Sequence, residues 1–406
     1  MCHETGLWPF ERGVMESKLV KVGIVGLGLV AASHFKGYKS HPNADVIAVC
    51  DVNYSRAVEF ANLHDIPEVY SSLDSMLEQS SVDAIDIATP TFLHSSMVQK
   101  SANAGKHVHC EKPFCRTVQE GIDACKAVQR AGVKLLVGET YVFLSSHIKA
   151  RSLIAGGEIG NPLQIRQRQG SFLEKKVPNI STGPSDRTWR IHPEQSGGGQ
   201  YPWIYDHAVH FFSAAEYLMV DQRVNEIYAV SSANNLSKNS SGAAHDPYTT
   251  SNSDIPIITW KYEDSDKQGF WVRAERLNGK YDYMRGFSST VLGDKGMIEV
   301  LGEGGHNLMW EGRQCHLILH RDGKSSIKFR FDEGKDDVWQ SDLSYYSKGH
   351  INQISHFIDS ILKDSTPRYT GEDGTHAVQC VLATIKSANE NRPVKVSEVD
   401  PAYSAY

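Results

Sequence analysis

At 406 residues the chain exceeds one comfortable core, and about 150 residues per domain predicts two or three units. Hydrophobic residues make up 40% and charged residues 22%, a soluble globular composition that argues against a disordered chain. The formal charge is −6 with no long Lys/Arg run, which argues against nucleic acid or a membrane surface as partner. An anionic cofactor must then be held locally, by backbone N–H groups at a helix terminus.

The seven cysteines, Cys2, Cys50, Cys110, Cys115, Cys125, Cys315 and Cys380, are irregularly spaced and include no CxxC pair. Neither a structural zinc nor a disulfide framework is implied, and a reducing, cytoplasmic compartment fits. No apolar run approaches the roughly 20 residues of a membrane span. Residues 1–17 carry acidic side chains and lack an apolar centre, unlike a secretory signal. Met15 reads as a second start, which leaves residues 1–14 as an extension or an assembly arm.

A short apolar run at 21–25, ending in glycines, predicts a buried strand, and a helix follows over 30–40. Next come a strand at 46–50, helices at 56–64 and 72–79, a strand at 84–88 and a helix at 95–104. A strand at 107–109, a helix at 118–131 and a strand at 134–138 complete the series. This alternation predicts a parallel sheet with crossover helices. Beyond about Tyr141 the rhythm changes. A helix is expected at 148–155, strands at 165–172 and from about 227 to 331, and helices at 207–218, 350–362 and 375–389. Residues 231–254, rich in Ser, Asn and Ala, read as an exposed loop or insertion. The expected organisation is an extension over 1–18, an α/β Rossmann domain over 19–143, and an α+β domain with a large open, mainly antiparallel sheet over 144–406. The last helices of the second domain are expected to return onto the first.

Gly26-Leu27-Gly28-Leu29-Val30-Ala31 follows the first strand and opens a helix, the GxGxxA form of a dinucleotide-binding turn. Gly26 allows the tight turn, Gly28 admits a pyrophosphate, and small Ala31 lets helix and strand pack closely. Gly26, Gly28, Leu29 and Val30 are therefore candidate cofactor contacts. Asp51, 23 residues after Gly28, ends the second strand, where a carboxylate can accept from ribose hydroxyls and repel a 2′-phosphate. That favours NAD over NADP, although Arg56 nearby keeps NADP open. The bland alternative is a glycine turn beside a surface carboxylate. The segment Ala88-Thr89-Pro90-Thr91-Phe92-Leu93-His94 leaves the carboxyl end of a strand, so Thr89, Pro90, Leu93 and His94 are expected to line the cofactor. His94 reads equally well as a helix-start residue without a chemical task.

At Cys110-Glu111-Lys112-Pro113 the chain resembles the Gfo/Idh/MocA oxidoreductases, which include inositol dehydrogenases and glucose–fructose oxidoreductase. Trp189-Arg190, the run Gly197-Gly198-Gly199, Asp206 with His210, Gly293-Asp294-Lys295-Gly296 and Thr370-Gly371-Glu372-Asp373-Gly374 extend the resemblance over about residues 20–395. The resemblance implies catalysis by Lys112 with Asp206 and His210, and places Glu111 near the nicotinamide ribose. It further implies a homodimer or homotetramer formed through the second domain's sheet. Two departures stand beside the expected substrate site. Six residues, 200–205, separate the glycine run from Asp206 where about three are common, and Ser213 stands where an Asp is frequent.

These residue types suit oxidation of a secondary hydroxyl. His210 has a pKa suited to proton transfer near neutrality, and Asp206 lies one helical turn before it. Asp206 can orient the imidazole or bond a neighbouring hydroxyl, and Lys112 can donate to the reacting oxygen. Lys112-Pro113 is also an X–Pro bond open to the cis form. Trp189, Arg190, Tyr201, Trp203 and Tyr205 surround the glycine run and read either as a sugar-binding face or as core. Glu139, Tyr141 and His147 follow the strand at 134–138 and are expected to line the site. No His/Asp/Glu group has convincing metal spacing. The expected activity is reversible NAD-dependent oxidation of a ring hydroxyl in a sugar, glycoside or cyclitol. The alternatives are a redox-neutral glycosidase or lyase working through a transient keto sugar, and a non-enzymatic dinucleotide-binding regulator.

Overall fold

The computed structural model describes residues 19–169, 189, 192–220, 222–233, 253–264, 266–273, 287–303, 316–331 and 345–405. The first sheet is built from β1 (Val20–Val25), β2 (Ala44–Cys50), β3 (Glu68–Tyr70), β4 (Ala84–Ile87), β5 (His107–Glu111) and β6 (Leu135–Gly138). All six are parallel, in the order β3-β2-β1-β4-β5-β6. Both faces are covered by crossover helices, which is why β4 and β6 are buried at every position. The helices start where side chains can cap them. Asn53, Ser72 and Thr117 each accept from the backbone N–H three residues on, ahead of Tyr54–His64, Leu73–Gln79 and Val118–Ala131. The strand order reverses between β1 and β4, so a crevice opens at the carboxyl ends of those two strands.

The second sheet contains β7 (Pro162–Gln169), β8 (Val224–Ala233), β9 (Ser253–Tyr262), β10 (Gln268–Arg273), β11 (Phe287–Gly293), β12 (Gly296–Glu303), β13 (His316–Arg321), β14 (Lys324–Arg330) and β15 (Val394–Lys395). Its order is β14-β13-β12-β11-β7-β10-β9-β8-β15, antiparallel except where β7 meets β10. One face carries the helix Pro202–Leu218, whose Phe211 stacks on Trp271 at 4.8 Å and whose Phe212 meets Trp260 edge-on at 5.4 Å. Val230, Ile257, Leu163 and Ile327 remain exposed on this sheet.

Several boundaries differ from the expectations. The central helix begins at Pro202 rather than at 207, because proline suits a first helical turn and Trp203, Ile204 and Tyr205 all have buried positions to fill. The last helix begins at Gly371 rather than at 375. A reciprocal cap between Thr370 and Asp373 sets that start. The helix Tyr345–Leu362 likewise starts five residues earlier than periodicity suggested. Strand β3 was not anticipated, being only three residues long. The Ser/Asn-rich stretch is flanked by β8 and β9, and its residues 234–252 lie outside the described residues.

The two C-terminal helices pack against the first sheet's layer. Tyr345–Leu362 crosses the helix Ala31–Lys39 at Gly37, where an added Cβ would lie 2.8 Å from Ile354 Cβ. Gly371–Glu390 approaches Val118–Ala131 at Gly121, where a Cβ would meet Thr375 Oγ1 at 2.3 Å. On an exposed helix Gly→Ala gains about 1 kcal/mol. At position 37 overpacking of about 1–3 kcal/mol opposes that gain, because Ile354 Cβ cannot rotate away. Gly37→Ala is expected to lower the thermal midpoint by a few degrees, measured by calorimetry. A raised midpoint would remove the close approach as the reason for this glycine.

Candidate active site

The glycine turn closes the crevice from one side. Gly26 adopts φ +89°, and a Cβ there would lie 2.8 Å from Ala88 O and 2.9 Å from Thr89 Cγ2. Only glycine therefore lets the end of β1 touch the end of β4. Gly28 is exposed, and nothing lies within 4 Å of where its Cβ would be. The open space above Gly28, at the start of the helix Ala31–Lys39, is what a pyrophosphate requires. Leu29 and Val30 beside it are half-buried. Asp51 accepts from Leu27 N at 2.9 Å and Asn53 N at 2.8 Å, with Arg56 Nη1 at 3.3 Å. These bonds fix the carboxylate at the end of β2, beside the turn. Thr89, Pro90 and Leu93 are half-buried at the opposite wall. The residues present fit a dinucleotide.

His94 has a structural task. Its Nδ1 lies 2.8 Å from Pro113 O and its Nε2 2.8 Å from Thr89 O, so the buried ring bridges the loops that leave β4 and β5. Burial lowers its pKa, against the pull of those two carbonyls. The Lys112–Pro113 peptide between the loops is cis. The next residues are held from the second domain. Tyr205 Oη lies 2.7 Å from Cys115 O and 2.9 Å from Arg116 O, sharing its one proton between them. The glycine run permits this approach: a Cβ on Gly198 would sit 2.6 Å from Tyr205 Cβ, and one on Gly197 2.9 Å from its Cζ.

Asp206 follows Tyr205 directly, so the same anchor brings its carboxylate to Lys112. Lys112 Nζ donates to Asp206 O at 3.0 Å and to Asp206 Oδ1 at 3.2 Å, with both side chains largely buried. His210 sits one turn further along the helix, and its Nδ1 lies 2.6 Å from Glu139 Oε1. The imidazole's bonded carboxylate thus comes from the end of β6, whereas Asp206 holds the lysine. Glu139 is itself buried and also accepts from Tyr141 N at 3.1 Å. Tyr141 covers the His210 ring at 4.7 Å. His207 lies within this group, with Nδ1 3.1 Å from Trp203 O. Burial pushes its pKa down to about 3 against the attraction of Asp206, and Lys112 and His210 add to the lowering. His207 is therefore neutral at physiological pH.

Of the aromatic candidates, Trp203 is 6% exposed, stacked on His207 at 4.7 Å and packed beside Phe211 and Trp271. It is core, as are Tyr201 and Tyr205. Trp189 is half-buried, and Arg190 lies outside the described residues. His147 is buried beside Tyr141, the rings 5.8 Å apart. Ser213 bonds Val209 O at 2.6 Å and pairs with Tyr369 Oη. The segment 200–205 is the first turn of the central helix and the residues leading into it.

A buried polar cluster beneath the site was not anticipated. His34, Asp86, His109, His350 and Glu111 are buried together. The available signal was an ionisable side chain in each of two adjoining strands, Asp86 in the otherwise apolar β4 and His109 in β5.

Because Gly28 supports no packing, Gly28→Val is expected to leave stability within about 0.5 kcal/mol of wild type. NADH affinity should nevertheless fall more than about ten-fold, or 1.4 kcal/mol, as the added methyl groups fill the pyrophosphate space. Fluorescence titration with a parallel thermal melt checks both. Unchanged NADH binding would remove this turn from the cofactor site.

Comparison with known proteins accords with this geometry. Residues 20–139 match the model of an oxidoreductase family with an NAD-binding Rossmann fold, and residues 151–396 match that family's C-terminal alpha/beta domain. A 2,7-anhydro-N-acetylneuraminate hydratase of Escherichia coli is 25% identical, over 94% of this chain and 98% of the relative. A myo-inositol 2-dehydrogenase of Thermotoga maritima is 24% identical, over 94% of this chain and 99% of the relative. The crystal structure of scyllo-inositol dehydrogenase from Lactobacillus casei with NAD(H) and scyllo-inositol shares the fold at a TM-score of 0.68 and 18% identity, over 94% of this chain and 100% of that one. With both halves of the family accounted for, and the Rossmann crevice built to hold NAD, the chain belongs to the Gfo/Idh/MocA oxidoreductases.

Proposed function

We propose that this protein reversibly oxidises a secondary ring hydroxyl of a sugar, glycoside or cyclitol, using NAD. The observation that carries the reading is the Lys112–Asp206 ion pair, which sits at the carboxyl edge of the parallel sheet with the Glu139–His210 pair on the same helix. NAD supplies the hydride acceptor when bound. The chain's own residues handle the proton. An ammonium has three donors, and Asp206 takes two of those on Lys112, which leaves one for the substrate oxygen. Glu139 accepts from Nδ1–H of His210, so Nε2 carries the lone pair that receives the hydroxyl proton. The Glu139 carboxylate then stabilises the imidazolium. A carboxylate at the end of β2 supports NAD over NADP. The dehydrogenase relatives support a polyol substrate, and the exposed Val230, Ile257 and Ile327 support assembly through the second sheet.

A second reading is favoured by the hydratase relative: redox-neutral elimination or hydration through a transient keto sugar, with the dinucleotide retained. Retention of Lys112, Asp206 and His210 together argues against a purely regulatory dinucleotide binder.

A screen of sugars, inositols and glycosides that follows both NADH absorbance and product release separates the two. Net NADH is expected from dehydrogenation; product without net NADH would favour the redox-neutral reading. Lys112→Ala and His210→Ala should each abolish turnover while NADH binding persists, and Glu139→Gln should lower kcat by about 10²–10⁴-fold, the range of lost acid–base catalysis. Wild-type rates in Lys112→Ala or His210→Ala would sink the assignment.

A further inference from the structure

We propose that His34 is a positioning residue: from the helix that follows the glycine turn, it holds the Glu111 carboxylate and thereby sets the Glu111–Lys112 loop against the bound cofactor. The proposal rests on the dehydrogenase reading only for what Lys112 then does.

His34 is wholly buried between two carboxylates. Nδ1 lies 3.1 and 3.0 Å from the two oxygens of Asp86, and Nε2 lies 3.2 Å from Glu111 Oε1. The second contact is an ion pair without the alignment of a full hydrogen bond. The other oxygen of Glu111 accepts from Lys112 N at 3.3 Å. One carboxylate thus touches the cofactor helix on one side and the backbone of the catalytic lysine on the other. Gly138, at the end of β6, leaves room for it, since a Cβ there would come 2.8 Å from Glu111 Oε1.

An imidazole between two carboxylates is favoured as the cation, with an N–H on each nitrogen. Burial alone would lower the pKa of His34, but Asp86 and Glu111 outweigh burial and raise it to about 10. Burial would raise both carboxylates. His34 nevertheless holds Glu111 down to about 2, and His34 with His109 holds Asp86 well below the usual range. His350, its ring 5.4 Å from that of His34, is pushed down to about 3 by burial and by the His34 charge. The positive charge of the cluster therefore sits on His34. His109 Nδ1 donates to Asp86 at 2.9 Å, and its Nε2 lies 2.7 Å from Gln353 Nε2 of the helix Tyr345–Leu362. Tyr38, on the same helix as His34, also faces Asp86. Imidazole–carboxylate separations of 2.9 to 3.1 Å around Asp86 are hydrogen-bond distances.

The signs fix the working range. The raised pKa of His34 stabilises fully below 6.5 and is lost as pH rises through about 10. The lowered pKa of Glu111 stabilises above 4.5 and is lost as pH falls through about 2. Across neutral pH the clamp is closed. Apolar side chains often stabilise a core as well as a buried ion pair does, so a charged bridge at this junction has geometry as its use.

A double-mutant cycle on the full-length protein tests this, with NADH as the probe and binding read by fluorescence at neutral pH. His34→Gln and Glu111→Gln should each weaken NADH about ten-fold, and the double variant should be no weaker than the worse single. Thermal midpoints control for unfolding. Effects that multiply to about a hundred-fold, or a His34→Gln variant that binds NADH like wild type, would overturn the proposal. If His34→Gln does not fold, Asp86→Asn takes its place, since it releases His34 from the other side, with the same non-additivity expected against Glu111→Gln. This cycle needs no substrate, so it stands apart from the dehydrogenase reading. With a substrate from the screen, His34→Gln should lower kcat and leave KM within about two-fold, because the substrate contacts themselves are untouched.

Discussion

The site depends on one junction: the first turn of the helix Pro202–Leu218 pressed against the loop that leaves β5. Tyr205 ties that turn to the carbonyls of Cys115 and Arg116, and its neighbour Asp206 takes the ammonium of Lys112. A buried ion pair across two structural layers must be well placed, because desolvation of each charge costs several kcal/mol and only close geometry offsets it. The backbone carbonyl of Asp206 adds a second acceptor, and the hydroxyl of Tyr205 fixes the distance. The glycines before the helix serve this packing by removing the Cβ atoms that would keep Tyr205 away.

Around the junction, identical side-chain chemistry is divided by environment. His210, His207, His94 and His34 are four imidazoles in four environments, all buried but the half-buried His207. His210 is joined to one carboxylate at 2.6 Å. His207 is held neutral by burial. His94 lies between two backbone carbonyls, donates its one N–H to one of them, and serves as a brace. His34 is charged because two carboxylates flank it. Partner number and partner charge, rather than position in the sequence, distinguish the four rings.

Much of the first domain was legible because its signals are local. Gly26-Leu27-Gly28 after an apolar run, Asp51 at the end of the next strand and Glu111-Lys112-Pro113 after β5 each carry meaning within a few residues. The pairing of His210 with Glu139 was not legible, since it spans 71 positions and Asp206 is the nearer carboxylate in sequence. The start of the central helix was misjudged because its first turn is aromatic and fully buried, so it lacks the amphipathic alternation that marks a surface helix. The aromatic group around the glycines invited a sugar-binding role. Two of its residues anchor the helix, Trp203 on Trp271 and Tyr205 on the β5 loop.

The run Gly197–Gly199 has a second neighbour. Gly199 adopts φ +55°, and a Cβ there would lie 1.9 Å from Ala405 O. The turn that seats Tyr205 therefore closes against residues synthesised some two hundred positions later. Contacts of such wide sequence separation form late in folding, because the loop they close must first be brought together. A nascent chain on the ribosome can complete its parallel sheet and its glycine turn well before this point. The junction between its two halves waits for Ala405 to emerge.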